Sequence, residues 1–492
     1  METTSALVVG AGPAGLALAC GLRQHGVAVR VIDQAAGPAS TSRANILHAR
    51  GVEVLNRLRA LGDLPDRALH AIRMTFYLEE KPLAAVSFGR IEGNQLSALL
   101  VPQAEVEAVL RQRLTELGGT VEWGRELTGL AQRPDGVTAT LRDGSLSADY
   151  VVGCDGAHSA VRKLSGIGFP GVPLVDQWLL ADVRADWDLD RTGSSGWFHR
   201  DGLFFAMPMR SGAEGTWRLM ADVRPSDATT SDDVLDRLQE LLPERTGRTD
   251  VKIRDVAWTS TFRIHRRLAD RYRDGRVLLV GDAAHIHSPF GGQGMNTGIG
   301  DAENLAWKLA LVAERRACPA LLDTYQAERR PLAEDVLRNT TANTKLMLAD
   351  GAIARFARDR LIAPLANLAV VQRRATWLAS QLWVSYRKGP LGSRRGPRPR
   401  PGDRVPDLVC RGDRGPTRLH SELGGKWALL APAGTSSEAL APLGEHVVHL
   451  APERPQRDIW LVRPDAHLAW RGTELRSLAQ WLDNALGNGR TT

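Results

Sequence analysis

Residues 281–301 are the most informative segment of the chain. They begin with Gly281-Asp282-Ala283-Ala284-His285-Ile286-His287-Ser288-Pro289-Phe290-Gly291-Gly292-Gln293-Gly294-Met295-Asn296 and end at Asp301. The apolar run before it, residues 276–280, predicts a buried strand. The apolar spacing after it, residues 302–313, predicts a helix that begins near Met295 or Asn296. An acid at a strand end can accept hydrogen bonds from a sugar-like diol. The glycines let the backbone approach a flat ligand, and the helix start offers free N–H groups. Taken alone, this pattern is equally typical of an ordinary strand–loop–helix connection.

A second motif lies at the N-terminus and reads Gly10-Ala11-Gly12-Pro13-Ala14-Gly15. An apolar strand (residues 6–9) precedes it, a helix (16–25) follows, and a second strand (28–32) ends in Asp33. The glycines permit a tight turn and a close approach to a diphosphate, while Asp33 is placed to hold the adenosine ribose hydroxyls. The motif predicts a bound dinucleotide. An acid at this strand end argues against a 2′-phosphate, so FAD or NAD is favoured over NADP.

A third motif of the same kind spans residues 149–162 and contains Asp155-Gly156 between a strand and a helix. The three motifs, in this order and spacing, resemble the FAD-dependent aromatic hydroxylases of the p-hydroxybenzoate hydroxylase family over about residues 5–345. The resemblance implies one FAD, with Asp282 at the ribityl chain and Asp155 in the element that also serves the pyridine nucleotide. The family acid at the second strand is usually Glu, so Asp33 is a shorter version.

The resemblance also implies a chemistry. NADPH or NADH delivers hydride transiently, and reduced flavin reacts with O2 to a C4a-hydroperoxide that hydroxylates an activated aromatic ring. The predicted catalytic residues are Arg43, Pro289 and Gly292, which shape the oxygenating site without a protein nucleophile. The predicted cofactor-binding residues are Gly10, Gly12, Pro13, Ala14, Gly15, Asp33, Gln34, Arg43, Gln103, Leu127, Asp155, Gly156, Asp282, Pro289, Gly292, Gly294, Met295 and Asn296.

Composition is typical of a large enzyme without membrane or nucleic-acid functions. The 492 residues are 43% apolar, and the formal net charge of +7 is a mild excess over a long chain. No apolar run approaches a membrane span, and no signal peptide is seen. The four cysteines form no CxxC, which favours a reducing cytoplasm over a disulfide-exchanging flavoprotein. His285 and His287 lack a third ligand nearby in sequence, so no metal is predicted.

The predicted fold class is mixed α/β with three domains. An FAD-binding Rossmann-like domain (residues 1–171 and 274–386, the second part with added helices) is interrupted by an antiparallel substrate sheet (172–273). A basic Pro/Gly linker (387–402) precedes a thioredoxin-like domain (403–492) that lacks CxxC and is given a structural or dimer-contact role. Within the first domain, a helix is predicted over residues 44–61, and sheet is suggested for 74–100.

The predicted function is hydroxylation of a bulky polycyclic phenol or quinone of secondary metabolism, by a monomer or homodimer. The long three-domain form resembles hydroxylases of aromatic polyketides and related antibiotics, which is why a single-ring acid is disfavoured. Three alternatives stay open: an oxidase or dehydrogenase, a Baeyer-Villiger-type oxygenase acting on a polyketide, and a nonenzymatic flavin-binding regulator. A flavin halogenase is disfavoured because no Trp-x-Trp-x-Ile motif is present.

Overall fold

The computed structural model of the chain describes residues 3–41, 44–70, 72–88, 91, 96–209, 215–223, 230, 233–287, 292–348, 351–432, 434–454 and 457–487. Strands and helices alternate at the N-terminus, long antiparallel strands follow, and helices precede a smaller C-terminal sheet. Within the described ranges, no helix is long and apolar enough to cross a membrane.

The strands form two eight-stranded sheets, one six-stranded sheet and a two-stranded ribbon. In chain order they are β1 (Thr3–Val9), β2 (Val29–Asp33), β3 (Ile46–Leu47), β4 (Ile72–Leu78), β5 (Lys81–Phe88), β6 (Leu99–Leu100), β7 (Val121–Trp123), β8 (Leu127–Arg133), β9 (Gly136–Leu141), β10 (Gly144–Gly153), β11 (Gly171–Asp186), β12 (Gly193–His199), β13 (Gly202–Pro208), β14 (Thr216–Val223), β15 (Lys252–Leu268), β16 (Arg273–Asp274), β17 (Val277–Leu279), β18 (His285–Ile286), β19 (Val409–Gly412), β20 (Gly415–Arg418), β21 (Trp427–Leu430), β22 (Val447–Pro452), β23 (Ile459–Val462) and β24 (Leu468–Gly472).

The helices are mostly short, apart from two long ones that follow the Gly281 turn. In chain order they are α1 (Pro13–Gln24), α2 (Ala49–Arg57), α3 (Leu64–Arg67), α4 (Gln103–Glu116), α5 (Ala160–Leu164), α6 (Val234–Thr246), α7 (Gly294–Ala313), α8 (Asp323–Leu348), α9 (Ala352–Ala357), α10 (Ala363–Leu365), α11 (Ala369–Ser380), α12 (Leu419–Leu423) and α13 (Leu475–Leu486). Short 3₁₀ turns cover Gly281–Ala283, Pro319–Leu322 and Glu438–Leu443, and a π turn covers Arg358–Ile362.

The first sheet brings the three predicted motifs to one edge. Its order is β16-β17-β10-β1-β2-β7, and β17, β10, β1, β2 and β7 run parallel. The carboxyl ends of parallel strands meet at the same edge of a sheet, which is where ligands bind in such folds. Because the three motifs follow β1, β10 and β17, they lie side by side at that edge.

The second sheet contains three strands from outside the predicted range of 172–273, namely β4, β5 and β18. Its order is β18-β15-β11-β14-β13-β12-β4-β5, so β4 and β5 extend it from the N-terminal part of the chain. Strand β4 pairs in parallel with β12, with Phe76 opposite Gly196. The predicted sheet character of residues 74–100 is therefore real over β4 and β5, but the strands belong to the second sheet.

The aromatic residues of the second sheet lie on both of its faces, because side chains alternate along each strand. Trp197, Phe204 and Trp217 pack with α6 on one face. Trp178, Phe198, Phe205 and Met220 form a separate cluster on the other. Successive side chains of a strand point to opposite faces, so neighbours in sequence serve different surfaces. We call the second group the aromatic face.

The helix predicted for residues 44–61 is shorter than expected. It begins at Ala49, and Ile46 and Leu47 instead form β3, which pairs with β6. The ribbon continues beyond the Ile46–Leu100 pair, because the Val101 N–H donates to Asn45 O at 2.9 Å. These backbone groups are satisfied across the ribbon, so the segment stays extended.

The C-terminal domain has the predicted thioredoxin-like arrangement. Strands β22-β21-β23-β24 lie in that order, β21 and β22 are parallel, β23 and β24 form an antiparallel hairpin, and α13 follows. A 3₁₀ turn connects β21 and β22 where a helix is usual. The domain shares a core with the first one, since Trp427 packs edge-on against Trp307 with ring centroids 5.1 Å apart.

Candidate active site

The three glycines of the N-terminal motif have different surroundings. A Cβ on Gly10, whose φ is +105°, would lie 2.4 Å from Cys154 O, and a Cβ on Gly15 would lie 2.0 Å from Gly10 O. These two glycines therefore allow close contacts inside the protein. A Cβ on Gly12 would meet no described atom within 4 Å, apart from its chain neighbours. Gly12 caps α1, which begins at Pro13, so open space lies in front of a helix N-terminus. This cradle fits a diphosphate group.

Asp33 ends β2 next to the glycine turn, as predicted. Its Oδ2 accepts a hydrogen bond from the Ala11 N–H at 2.7 Å, and its Oδ1 accepts one from the Ala35 N–H at 2.8 Å. A carboxylate has about four acceptor sites, so both oxygens retain capacity for ligand hydroxyls. Gln34 is exposed beside it. Leu127, by contrast, is buried in the core, so only its backbone is available to a ligand.

Gln103 stands at the start of α4, next to Ala44. Its N–H donates to Ala44 O at 2.9 Å, and its Nε2 donates to Glu107 Oε1 at 2.8 Å. Burial raises the pKa of Glu107. The predicted residues Arg43 and Pro289 lie outside the described residues.

Asp155 is engaged by its own turn. Its Oδ1 accepts from Ser159 Oγ at 2.5 Å, and its Oδ2 accepts from the Val161 N–H at 3.1 Å. Burial raises the pKa of Asp155, and these hydrogen bonds oppose that shift. Gly156 has φ +73° and allows the turn. Arg162, which follows in α5, donates to Ala283 O at 2.9 Å and so joins this third motif to the first one, at residues 281–301.

Asp282 is the exposed residue of a 3₁₀ turn at the same edge of the sheet, and its neighbours Gly281 and Ala283 are buried. Gly281 before it has φ +62°, and its added Cβ would lie 3.3 Å from the Ala14 Cβ and 3.5 Å from the Gly298 Cα. Small residues on three elements thus pack the turn against the starts of α1 and α7. The turn that carries Asp282 therefore lies beside the N-terminal glycine motif. The two segments are far apart in sequence and meet because β17 and β1 belong to the same sheet.

The loop before α7 is fixed by Asn296. Its Oδ1 accepts from the His48 N–H at 2.8 Å, and its Nδ2 donates to Ile46 O at 3.0 Å and to Gly292 O at 2.9 Å. The Asn296 side chain is therefore occupied, and only its N–H can reach a ligand. The first helical bond of α7 runs from the Thr297 N–H, so the N–H groups of residues 294–296 precede it.

The helix start falls at Gly294, within one residue of the prediction. Gly292 has φ +62°, and its added Cβ would lie 3.1 Å from the Ile46 Cβ. Ribbon β3–β6 thus backs the glycine loop.

The aromatic face meets this loop region through one contact. Asn45 Nδ2 donates to Met207 Sδ at 3.2 Å, and Met207 packs against the aromatic face. Phe76 and Phe198 stack further along the sheet, with ring centroids 5.2 Å apart and planes 10° from parallel. A buried apolar, aromatic cluster therefore lies beside the Asn45–Ile46 segment, which Asn296 ties to the start of α7.

The structure shows buried polar contacts behind the Gly281 turn that were not predicted from the sequence. His285 Nε2 lies 2.7 Å from Asp301 Oδ2, and Arg329 Nε donates to Asp301 Oδ1 at 2.6 Å. His285 is thus a hydrogen-bonding partner of Asp301, which explains this histidine without a metal. Arg329 lies on the next helix, so no local pattern signals the pairing.

One group of possible metal ligands occurs among the described residues, away from the motifs. It comprises His199, Asp201 and Glu244 at the end of β12 and on α6. Arg200 Nε donates to Asp201 Oδ2 at 3.2 Å and competes for that carboxylate. We assign no metal to this group.

Together these features define a flavoprotein built on a dinucleotide-binding sheet. The chain belongs to the FAD-binding domain family, whose sequence pattern matches residues 3–340, and the pattern described as aromatic-ring hydroxylase, C-terminal, matches residues 398–489. FAD is the cofactor, and the protein is an FAD-dependent aromatic monooxygenase. The predicted resemblance, fold class and cofactor are confirmed.

Several named proteins are similar along nearly the whole chain. A rifampicin monooxygenase from Streptomyces venezuelae is 37% identical over 477 residues, covering 96% of each chain. The structure of an anhydrotetracycline hydroxylase from Streptomyces rimosus is 33% identical, with a TM-score of 0.82 over 99% of each chain. An aromatic hydroxylase from angucycline biosynthesis is 31% identical, with a TM-score of 0.81 over 98% of this chain and 99% of that one.

Proposed function

We propose that the protein hydroxylates a bulky polycyclic phenol or quinone, with NADPH or NADH as reductant and O2 as the oxygen source. The observation that carries the proposal is the contact between Asn45 and Met207, which joins the aromatic face to the edge where the three motifs meet. The named relatives are a rifampicin monooxygenase, an anhydrotetracycline hydroxylase and an aromatic hydroxylase from angucycline biosynthesis, which supports a polycyclic substrate of antibiotic metabolism.

The size of the aromatic face supports a large substrate. Met207 and Leu203 are four residues apart on β13, which corresponds to about 13 Å at ~3.3 Å per residue. Leu203 pairs with Phe198, and the guanidinium of Arg358 lies 4.2 Å above the Phe198 ring. The aromatic face therefore extends from Met207, next to Asn45, to Phe198, which the Arg358 guanidinium covers. This length suits a substrate of several fused rings better than a single ring.

We propose a position for each part of the cofactor. We assign the diphosphate to the space in front of Gly12, the adenosine ribose to Asp33 and the ribityl chain to Asp282. The flavin ring edge is assigned to the N–H groups that open α7. When bound, reduced FAD supplies the oxygen activation. The protein residues hold it, exclude water and favour negative charge near the helix start.

The location and assembly of the protein remain those predicted from the sequence. All four cysteines, each within the described ranges, are free thiols. Burial raises the pKa of Cys20 to about 12, so this thiol is inert. We propose a cytoplasmic monomer or homodimer without nucleic-acid or membrane partners.

The test is turnover by the purified full-length protein. It should be yellow and should release FAD, and not FMN, on heating. Anhydrotetracycline and rifampicin serve as probes, and a polycyclic substrate should stimulate NAD(P)H oxidation and yield a product heavier by one oxygen atom. A probe that is oxidised without gaining an oxygen atom would support an oxidase or dehydrogenase. Ring expansion, seen by NMR, would support a Baeyer-Villiger reaction, and flavin binding without turnover of any probe would support a regulator.

A further inference from the structure

Buried charges connect the Gly281 turn to the C-terminal domain. The members are Asp301 of α7, Glu328 and Arg329 of α8, and Arg463 and Asp465 of the hairpin loop between β23 and β24. We call these five residues the buried charge network. Their side chains are at most 3% exposed.

At its flavin end, the network holds two elements of the candidate site. Asp301 Oδ2 accepts from the Gly281 N–H at 3.2 Å and contacts His285 Nε2 at 2.7 Å, so one carboxylate oxygen ties both ends of the turn that carries Asp282. Arg329 holds the other oxygen and also donates from Nη2 to Thr297 O at 3.0 Å, in the first turns of α7. Burial alone would raise the pKa of Asp301, but Arg329 and His285 hold it below its ordinary value.

At its other end, the network is completed by the C-terminal domain. Arg463 donates from Nη1 to Glu328 Oε1 at 2.8 Å and from Nη2 to Glu328 Oε2 at 3.0 Å, a bidentate pair. Asp465 Oδ1 accepts from Arg463 Nε at 3.0 Å. Glu328 and Arg329 are consecutive on α8, so fixing one side chain fixes the backbone that carries the other.

A second contact leads from Arg329 toward the same domain. Arg329 Nη1 donates to the Tyr386 hydroxyl at 2.9 Å. The Tyr386 ring packs against His467, with centroids 4.2 Å apart, and Arg463 lies 5.1 Å from its centroid. Two routes therefore join the hairpin loop to Arg329.

A contribution to the free energy of folding is a poor explanation for these buried ion pairs. Replacing a buried ion pair by well-packed apolar residues is often neutral or stabilising, so burial of charge is a weak way to gain free energy. Bidentate arginine pairs do fix geometry, because their planar forks impose direction as well as distance.

We propose that the C-terminal domain positions the cofactor: Arg463 sets Glu328 and Arg329, and Arg329 sets the Gly281–His285 turn through Asp301. Arg463 and Asp465 are positioning residues in this scheme. The inference rests on the proposed assignment of Asp282 to FAD.

The first test is Arg463→Lys in the full-length protein, which keeps the charge and removes the fork. The dissociation constant of FAD should rise at least fivefold, within the usual range of coupling between sites, and the visible spectrum of bound flavin should shift. Arg471→Lys is the matched control. Arg471 pairs with Asp458 at 2.5 Å in the same domain, outside the network, and its replacement should change FAD affinity less than twofold. Unchanged FAD affinity and spectrum in folded Arg463→Lys would overturn the proposal.

A double-mutant cycle separates positioning from general destabilisation. If Arg463 acts through the turn, its effect on FAD affinity should shrink to less than twofold when Asp282→Ala is already present. An equal effect in both backgrounds would overturn the proposal. If Asp282→Ala alone leaves FAD affinity unchanged, the assignment of that residue to the cofactor fails, while the Arg463→Lys spectrum still tests the coupling.

Should Arg463→Lys not fold, Tyr386→Phe provides the second variant. It keeps the ring and removes only the acceptor of the Arg329 hydrogen bond. A raised FAD dissociation constant with a shifted flavin spectrum would support positioning, and the wild-type values of both would overturn it.

Discussion

Gly12→Ala should separate cofactor binding from folding. Gly12 has φ −74° and ψ −178°, an extended conformation that alanine adopts, and its Cβ would meet no described protein atom within 4 Å. The apoprotein should therefore keep its stability or gain about 0.4–1 kcal/mol, because alanine restricts the unfolded chain. The same Cβ would occupy the space assigned to the diphosphate. Loss of one charge-assisted hydrogen bond, about 1.5–3 kcal/mol, corresponds to FAD binding weakened about 10- to 150-fold.

The assay combines urea unfolding of the apoprotein with FAD titration followed by flavin fluorescence. Gly15→Ala is the contrasting variant, because its Cβ would lie 2.0 Å from Gly10 O. It should destabilise the apoprotein by about 1–3 kcal/mol through overpacking. Wild-type FAD affinity in a folded Gly12→Ala protein would refute the placement of the diphosphate.

Three further predictions concern the loop, the helix start and the buried charges. Asn296→Ala should lower the unfolding free energy by about 1–3 kcal/mol in urea denaturation, because the buried His48 N–H loses this acceptor; an unchanged value would contradict the loop geometry. Gly294→Val should retain FAD but yield less hydroxylated product per NAD(P)H oxidised, since bulk at the helix start disturbs the oxygen half-reaction; full coupling would argue against the assigned ring position. Burial would raise the pKa of Glu328, but Arg463 and Lys308 lower it from 4.5 to about 2, so its stabilisation is present above about pH 4.5 and lost as pH falls toward 2. In Glu328→Gln, the unfolding free energy should therefore depend less on pH between those values, by about 1.4 kcal/mol per pH unit, and an unchanged slope would contradict the pairing.

The fold around the cofactor was predictable because its signals are local. Each motif is a strand, a turn containing glycine and a helix within about twenty residues, and glycine spacing reports close backbone approach directly. The start of α7 and the antiparallel sheet over residues 172–273 were predicted for the same reason: periodicity and turn residues specify them within short windows.

What the sequence did not show depends on distant partners. The parallel pairing of β4 with β12 joins residues 73–78 to 193–198, and no local pattern encodes it. The Arg463–Glu328 pair spans 135 positions, and no local pattern signals it either. The alternation of side chains along a strand decides which aromatic residues belong to the aromatic face, but only once the strand pairing is known. Composition alone cannot assign them.

The most direct test of the proposed function uses labelled dioxygen. The holoenzyme is supplied with NADPH or NADH, a polycyclic phenol that stimulates reductant oxidation, and oxygen gas enriched in the heavy isotope. We predict a product that carries a single labelled oxygen on an aromatic carbon, with reductant consumed in equal amount when turnover is fully coupled. A product that lacks the label, or that forms without reductant, would contradict hydroxylation by this protein.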